Sequence, residues 1–248
     1  MRAVILAAGR GSRLGPLGEG RPKCLVELSG KPLIARQVAA LRGGGVTEIG
    51  VVRGYRADMI SLPDIVTFEN PRWAETNMVA SLATAARWLR AGPVIVSYAD
   101  IFFRRELVRR LVDSREDLAI AYDPHWHALW SRRFAEPLSD AETFRADAAG
   151  RLLEIGGKTE VIEEIAGQYM GLLRIAPAAW GAIEALLGPL EREVRDRLDM
   201  TGLLRRLLAQ DFPIATIAAD GQWGEVDSAS DLALYERMVE DGVLQLEA

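Results

Sequence analysis

Short apolar runs alternate with longer amphipathic stretches through the first part of the chain. The stretches at 32–43 and 77–88 have apolar residues at helical spacing, and Asn77 is a candidate N-cap for the second. Four runs of β-branched and aliphatic residues predict buried strands, at 2–6, 47–52, 65–68 and 93–96. Strands that alternate with helices pair in parallel through right-handed crossovers. The pattern therefore predicts a doubly wound α/β sheet.

The pattern changes from residue 117 onward, where strands follow one another more closely. The predicted elements are strands at 118–122, 168–175 and 213–218, a hairpin of 143–145 and 152–155, and helices at 178–187, 191–209 and from Ser230. Strands joined by tight turns pair antiparallel, so this part predicts a small antiparallel extension of the sheet. The sequence contains no internal repeat, low-complexity tract or linker, and one continuous domain over 1–248 is expected.

Composition excludes several classes of protein. Hydrophobic residues make up 49% and charged residues 26% of the 248 residues, as in ordinary globular domains. The 30 basic residues do not exceed the 35 acidic ones, which argues against a nucleic-acid partner. Cys24 is the single cysteine and cannot form an internal disulfide or a multi-cysteine zinc site. No apolar run approaches the length of a membrane span, so a cytoplasmic protein with no membrane partner is expected.

A glycine loop follows the first predicted strand, at Gly9 and Gly11, and Lys23 stands shortly after it. The loop lacks the Gly-Lys-Ser/Thr of a Walker A motif, and Leu14 replaces the third glycine of the dinucleotide fingerprint. Glycine at these positions lets backbone N–H groups approach an anion. Arg13 could add a planar guanidinium that binds two oxygens at once, and Lys23 a compact ammonium charge. An ordinary tight turn is the alternative, but the two cations favour a polyphosphate site.

The same loop carries a resemblance to a known family. Ala-Ala-Gly-x-Gly-Ser-Arg-Leu at 7–14, followed by Pro-Lys at 22–23, resembles the signature of nucleotidyltransferases that make activated sugars and activated phospho-head groups. Further blocks resemble the cytidylyltransferase branch, whose members include the phosphocholine and 2-aminoethylphosphonate enzymes: 54–55, 70–71, 76–78, 81–82, 98–100, 156–158, 168–172, 199–201 and 223–227. The segment 123–142 is most similar to the subgroup that acts on phosphorylated glutamine.

The resemblance implies a fold and a nucleotide site. The fold is Rossmann-like, with a mixed, mostly parallel sheet of the nucleotide-diphospho-sugar transferase type, a nucleotide-binding half at 1–115 and an acceptor-binding half at 116–248. Asp100 and Asp227 would hold one Mg²⁺, since a hard dication takes carboxylate oxygens, although either aspartate alone could be a turn or cap residue. The implied nucleotide-binding residues are Leu6, Ala7, Ala8, Gly9, Gly11, Ser12, Arg13, Lys23, Gly54, Tyr55, Asn77, Ser81, Tyr98 and Ala99.

The acceptor site is predicted partly from chemistry. Trp126 and Trp130 share a face if their segment is helical, and aromatic faces beside carboxylates suit an ammonium group. Arg133 could bind the carboxylate of an amino-acid acceptor, and Lys158 corresponds to a lysine that faces the acceptor phosphate in related enzymes. The alternatives are core tryptophans and a surface lysine. The predicted acceptor-binding residues are Asn70, Asp123, Trp126, Trp130, Arg133, Glu142, Lys158, Tyr169 and Trp223.

The implied reaction is attack of a phosphate or phosphonate oxygen on the α-phosphorus of a nucleoside triphosphate, with release of pyrophosphate. Arg13, Lys23 and Lys158 are the expected catalytic residues. We expect a Mg²⁺-dependent cytidylyltransferase that transfers CMP from CTP to phosphocholine, 2-aminoethylphosphonate, L-glutamine phosphate or a similar acceptor, in the activation of capsule or cell-surface head groups. A sugar-1-phosphate nucleotidylyltransferase and a non-catalytic nucleotide-sensing module are the alternatives. The sequence leaves a homodimer open.

Overall fold

The computed structural model describes residues 1–11, 15 and 18–246. In chain order the strands are β1 Arg2–Ala7, β2 Glu27–Leu28, β3 Lys31–Pro32, β4 Glu48–Arg53, β5 Ile65–Glu69, β6 Val94–Tyr98, β7 Ile101–Phe102, β8 Leu118–Asp123, β9 Phe144–Ala146, β10 Leu152–Ile155, β11 Gln168–Ile175, β12 Ala215–Ala218 and β13 Gly224–Glu225. The helices are α1 Leu33–Gly43, α2 Met78–Ala83, α3 Ala86–Ala91, α4 Arg105–Asp113, α5 Trp126–Arg133, α6 Pro177–Leu187, α7 Arg192–Arg197, α8 Met200–Leu208 and α9 Ala229–Glu240.

A seven-stranded sheet forms the centre of the fold, in the order β12-β8-β11-β6-β1-β4-β5. Its strands are parallel except β11, which runs antiparallel to both of its neighbours, β6 and β8. The predicted mixed, mostly parallel sheet is confirmed. The predicted hairpin forms as β9 and β10, which pair with each other outside the central sheet.

Helices cover both faces of the sheet, because successive side chains of each strand point to opposite sides. In β1, Ala3 and Ile5 join the apolar core under α1, α4, α5 and α9, whereas Val4 joins the core under α2, α3, α6 and α8. The central strands are buried on both faces, as their near-continuous apolar sequences require. No helix in the described part of the chain is both long and apolar enough to cross a membrane.

Two predicted helices are each divided in two. The 77–88 stretch forms α2 and α3, and the Thr84 hydroxyl donates to the carbonyl of Ser81 at the break, where it competes with helix hydrogen bonding. The 191–209 stretch forms α7 and α8, because Asp199 caps α8 by accepting from the Gly202 N–H. Asn77 caps α2 as predicted, by accepting from the Met78 N–H.

Candidate active site

A first cleft opens at the carboxyl ends of β1 and β6, with a volume of about 310 Å³. Ligands of open α/β sheets bind at this edge. Ten of the predicted nucleotide-binding residues line the cleft: Leu6, Ala7, Ala8, Gly9, Gly11, Lys23, Asn77, Ser81, Tyr98 and Ala99. Asp100 lines it as well, together with residues that sequence reasoning had not assigned to it: Cys24, Trp73, Thr76 and Met78.

The glycine loop approaches Lys23 closely. Gly11 has a φ of +68°, and a Cβ atom there would lie 2.8 Å from Lys23 Cβ, so a larger residue would displace the lysine. Ser12 and Arg13 fall outside the described residues. Gly54 and Tyr55 do not line the cleft but adjoin the loop, where the Tyr55 N–H donates to the Ala8 carbonyl at 2.9 Å.

Three carboxylates converge beside the first cleft. We call Asp100, Glu225 and Asp227 the acid cluster, because one oxygen of each lies within 4.8 Å of the other two. The antiparallel pairing of β7 with β13 brings them together, and the Val226 N–H donates to the Asp100 carbonyl at 2.9 Å. Sequence reasoning predicted the two aspartates as a pair and missed Glu225. The spacing of Glu225 and Asp227 could have revealed it, because residues two apart in an extended segment point to the same face.

Lys23 neutralises part of the acid cluster. Its ammonium lies 2.6 Å from Asp100 Oδ2 and also contacts Asp227 Oδ1. Burial alone would lower the pKa of Lys23, but these carboxylates outweigh it and the pKa is raised. Burial, with the charges of the two aspartates, raises the pKa of Glu225 to about 8. Glu225 therefore holds its proton more strongly than an ordinary carboxyl group, which lowers the negative charge of the cluster at neutral pH.

The acid cluster fits a divalent cation. The Asp100 Oδ1 atom is buried and accepts no hydrogen bond from the described residues, which leaves a buried acceptor that a cation would satisfy. Carboxylate oxygens are the ligands that hard cations such as Mg²⁺ prefer. The third carboxylate, Glu225, adds a donor to the predicted aspartate pair.

A second cleft, of about 190 Å³, adjoins the first. Because β11 is antiparallel, its amino end lies at the same sheet edge as the carboxyl ends of β6 and β8. Tyr98 lines both clefts, and the acid cluster lies where they meet, since Asp100 lines the first cleft and Asp227 the second. The residues that line the second cleft are Tyr98, Trp130, Asp140, Glu142, Thr143, Phe144, Ile155, Gln168, Tyr169, Thr201, Glu225 and Asp227.

Three of the predicted acceptor-binding residues, Trp130, Glu142 and Tyr169, line this second cleft. Burial raises the pKa of Glu142, against the opposing charge of Lys158. Trp130 donates from Nε1 to Asp140 Oδ2 at 3.1 Å, which fixes its ring in the wall of the cleft. Aromatic surface and carboxylates therefore lie side by side in the wall of the second cleft.

The other predicted acceptor-binding residues lie behind the clefts or at their rim. Trp223 donates to Asp123 at 2.8 Å in the core, and Trp126 donates to the Ile165 carbonyl at 3.0 Å. Lys158 is exposed and donates to the carbonyls of Asp140 and Ala141, at the rim of the second cleft.

Two predicted residues support the clefts from inside the protein. Asn70 is buried and donates to the hydroxyls of Thr76 and Ser81, which line the first cleft. The Arg133 side chain is completely buried beneath the acid cluster and so does not face either cleft, in contrast to the predicted contact with a substrate carboxylate.

Comparison with known proteins agrees with this architecture. The sequence model of one protein family, the MobA-like NTP transferase domain, matches residues 3–165. The chain is 36% identical over 248 residues to the CTP:phosphoglutamine cytidylyltransferase of Campylobacter jejuni, which covers 94% of this chain and 98% of the relative. It is 26% identical over 241 residues to the 2-aminoethylphosphonate cytidylyltransferase of Lancefieldella rimae, which covers 94% of this chain and 91% of the relative.

Solved structures share the fold. The inositol-1-phosphate CTP transferase from T. maritima superposes with a TM-score of 0.74 at 16% identity, and 98% of both chains is covered. The CTP:phosphocholine cytidylyltransferase from Streptococcus pneumoniae superposes with a TM-score of 0.71 at 21% identity, covering 96% of this chain and 98% of that one. Fold, cleft and sequence together define a nucleotidyltransferase. The chain belongs to the MobA-like NTP transferase family, in its cytidylyltransferase branch, which confirms the predicted family.

Proposed function

We propose that this protein transfers CMP from CTP to a small phosphorylated amine or amino acid and releases pyrophosphate. The observation that carries the proposal is the likeness to the phosphoglutamine enzyme over nearly the whole of both chains. The two adjoining clefts support it, because a transfer reaction needs both reactants side by side. The buried free thiol of Cys24 is compatible with the reducing cytoplasm as the place of reaction.

In this proposal CTP occupies the first cleft and the acceptor occupies the second. An acceptor phosphate or phosphonate is already anionic, so the attack on the α-phosphorus needs no strong general base. Catalysis then depends on orienting the two reactants in line and on balancing their negative charges. Lys23 is placed to interact with the triphosphate from the floor of the first cleft. Arg13 and Lys158 remain predicted catalytic residues by resemblance.

The acid cluster would hold Mg²⁺ between the two reactants. Asp100, Glu225 and Asp227 are the proposed ligands, and the unpartnered Oδ1 of Asp100 supports this assignment. A bound magnesium ion supplies positive charge that offsets the repulsion between the phosphates. The protein contributes the fixed spacing of the three carboxylates at the junction of the clefts.

The lining of the second cleft favours an acceptor that carries an ammonium group. Glu142 and Asp140 supply carboxylates, and the rings of Trp130 and Tyr169 supply aromatic surface. A cation is attracted by both, through charge and through the negative face of the ring. An acceptor with an amine beside its phosphate thus matches the cleft better than the phosphate of an uncharged sugar.

Replacement of Glu142 by glutamine tests this assignment. The change removes the negative charge and keeps the size of the side chain, so we expect the KM for the acceptor to rise about tenfold, or roughly 1.4 kcal/mol. The KM for CTP should change little. The control is Glu163→Gln, which removes an exposed carboxylate away from both clefts. Equal acceptor KM values for Glu142→Gln and the control would contradict the role of Glu142.

Gly171 offers a test of the shared wall of the two clefts. Its φ is +74°, and a Cβ atom there would lie 2.6 Å from Tyr98 Cγ, so Gly171→Ala must displace the ring that lines both clefts. We expect higher KM values for CTP and for the acceptor, and a loss of about 1–3 kcal/mol in the free energy of unfolding. Steady-state kinetics and urea denaturation measure these effects.

The matched control for this change is Gly181→Ala. Gly181 lies in α6, and an added Cβ atom would meet no atom within 4 Å, so this variant should keep both KM values and full stability. Unchanged KM values in Gly171→Ala would contradict the placement of both substrates against Tyr98.

The proposed reaction is tested by measuring pyrophosphate release with Mg²⁺. CTP, UTP, ATP and GTP are each combined with phosphorylated glutamine, 2-aminoethylphosphonate, phosphocholine and glucose 1-phosphate. We expect turnover with CTP and an amine-bearing acceptor. Turnover only with glucose 1-phosphate would assign the protein to sugar activation instead. Nucleotide binding without turnover in any combination would support a sensing module and contradict the proposal.

A further inference from the structure

Arg133 is a charged side chain in an unusual place. It ends α5, and its side chain has no exposed surface. The guanidinium lies against two neighbouring aromatic rings, 5.1 Å from the centroid of Trp130 and 4.9 Å from that of Phe134. A buried arginine is stable only when paired, so its partners define its role.

The partners of Arg133 are acids of the site and of the helix behind it. Its Nε donates to Asp231 Oδ1 at 2.9 Å, and Nη1 donates to Glu225 Oε2 at 3.4 Å. Nη2 donates to Asp231 Oδ2 at 3.4 Å and forms a longer ion pair with Asp227, 3.9 Å from its Oδ2. The planar fork thus faces two members of the acid cluster and the buried Asp231 together.

Asp231 extends the contact to the backbone of the cluster. Its Oδ2 accepts from the N–H groups of Asp227, at 3.0 Å, and Ser228, at 2.9 Å. Arg133 and Asp231 therefore hold both the side chains and the main chain of the segment that carries Glu225 and Asp227. A point charge such as lysine cannot reproduce three directed contacts.

We propose that Arg133 is a positioning residue that orients Glu225 and Asp227 and thereby sets the affinity of the acid cluster for a divalent cation. The inference rests on the proposed function, in which that cluster holds the metal. Arg133 touches neither cleft and acts through the carboxylates. Its positive charge also lowers the repulsion that the converging carboxylates would otherwise exert on one another.

Arg133→Lys tests the proposal, because it keeps the positive charge and removes the planar guanidinium group. Binding of Mn²⁺, used as a probe for hard-cation sites, is measured by electron paramagnetic resonance on folded protein without nucleotide. We expect affinity to fall about tenfold or more, as is typical when the partners of metal ligands are changed. The Mg²⁺ concentration for half-maximal turnover should rise in parallel, with the KM for CTP at saturating Mg²⁺ nearly unchanged.

Arg174→Lys is the matched control. Arg174 is also a buried arginine, but it donates to the Glu116 carbonyl and lies at the opposite end of β11 from the clefts. It should lose stability without losing Mn²⁺ affinity. If Arg133→Lys does not fold, Arg133→Met combined with Asp231→Asn keeps the net charge and should again weaken Mn²⁺ binding.

The outcomes separate this inference from the proposed reaction. Unaltered Mn²⁺ affinity in folded Arg133 variants, or an equal loss in Arg174→Lys, overturns the role of Arg133 whatever the protein catalyses. A wild-type protein that binds no Mn²⁺ overturns it as well. Weaker Mn²⁺ binding in the Arg133 variants supports it even if the substrate panel points to another acceptor.

Discussion

Asp100→Asn is expected to reduce kcat by at least about 1,000-fold, which corresponds to roughly 4 kcal/mol of lost transition-state stabilisation. The change removes one of the three carboxylates of the acid cluster and keeps the size of the side chain. Asp100 Oδ1 has no hydrogen bond to lose, and the contact of Oδ2 with Lys23 is the main one affected. The fold should therefore persist while the cation site fails.

The measurement combines pyrophosphate release with Mn²⁺ binding and thermal unfolding. Asp58→Asn, at an exposed aspartate that lines neither cleft, is the control and should match the wild type in all three. Wild-type turnover in Asp100→Asn would remove the acid cluster from the mechanism.

Lys23→Met is expected to have two opposite effects. In the proposed reaction the Lys23 ammonium would face the triphosphate, so its loss should lower kcat by about 100- to 1,000-fold, as when one preorganised donor is removed from an active site. Loss of its contacts with Asp100 and Asp227 should at the same time strengthen Mn²⁺ binding in the absence of nucleotide, by about tenfold or 1.4 kcal/mol. A merely structural lysine would not produce this combination.

Lys31→Met provides the comparison, since it removes a lysine that lines neither cleft. It should leave turnover and Mn²⁺ binding as in the wild type. If Lys23→Met binds Mn²⁺ more weakly than the wild type, Lys23 does not compete with the cation and the electrostatic account of the cluster fails.

The first cleft was largely predictable because its residues follow the ends of strands. Apolar runs mark β1 and β6, and ligand sites of such sheets lie where these strands end. The glycine loop and Asp100 occupy those positions. The break between α7 and α8 was not predicted, because the local cap at Asp199 overrides a helical pattern that continues through it.

Glu225 and the burial of Arg133 were harder to predict because they depend on contacts between distant parts of the chain. Glu225 joins the cluster through the pairing of β13 with β7. Arg133 and its exposed neighbour Arg132 are adjacent in sequence, and only the packing of α5 against α9 decides which of them is buried. An arginine in this segment suggested a contact with a substrate carboxylate. The carboxylates that Arg133 contacts instead belong to the protein itself.

The antiparallel β11 also bears on where the structural unit ends. In the central sheet β6 hydrogen-bonds to β1 on one side and to β11 on the other. The family match stops at residue 165, before β11 begins at Gln168. A polypeptide cut at that boundary would leave one side of β6 with unpaired backbone groups, an open edge of the kind that promotes aggregation. The matched region is thus a segment of sequence similarity and not a self-sufficient folding unit.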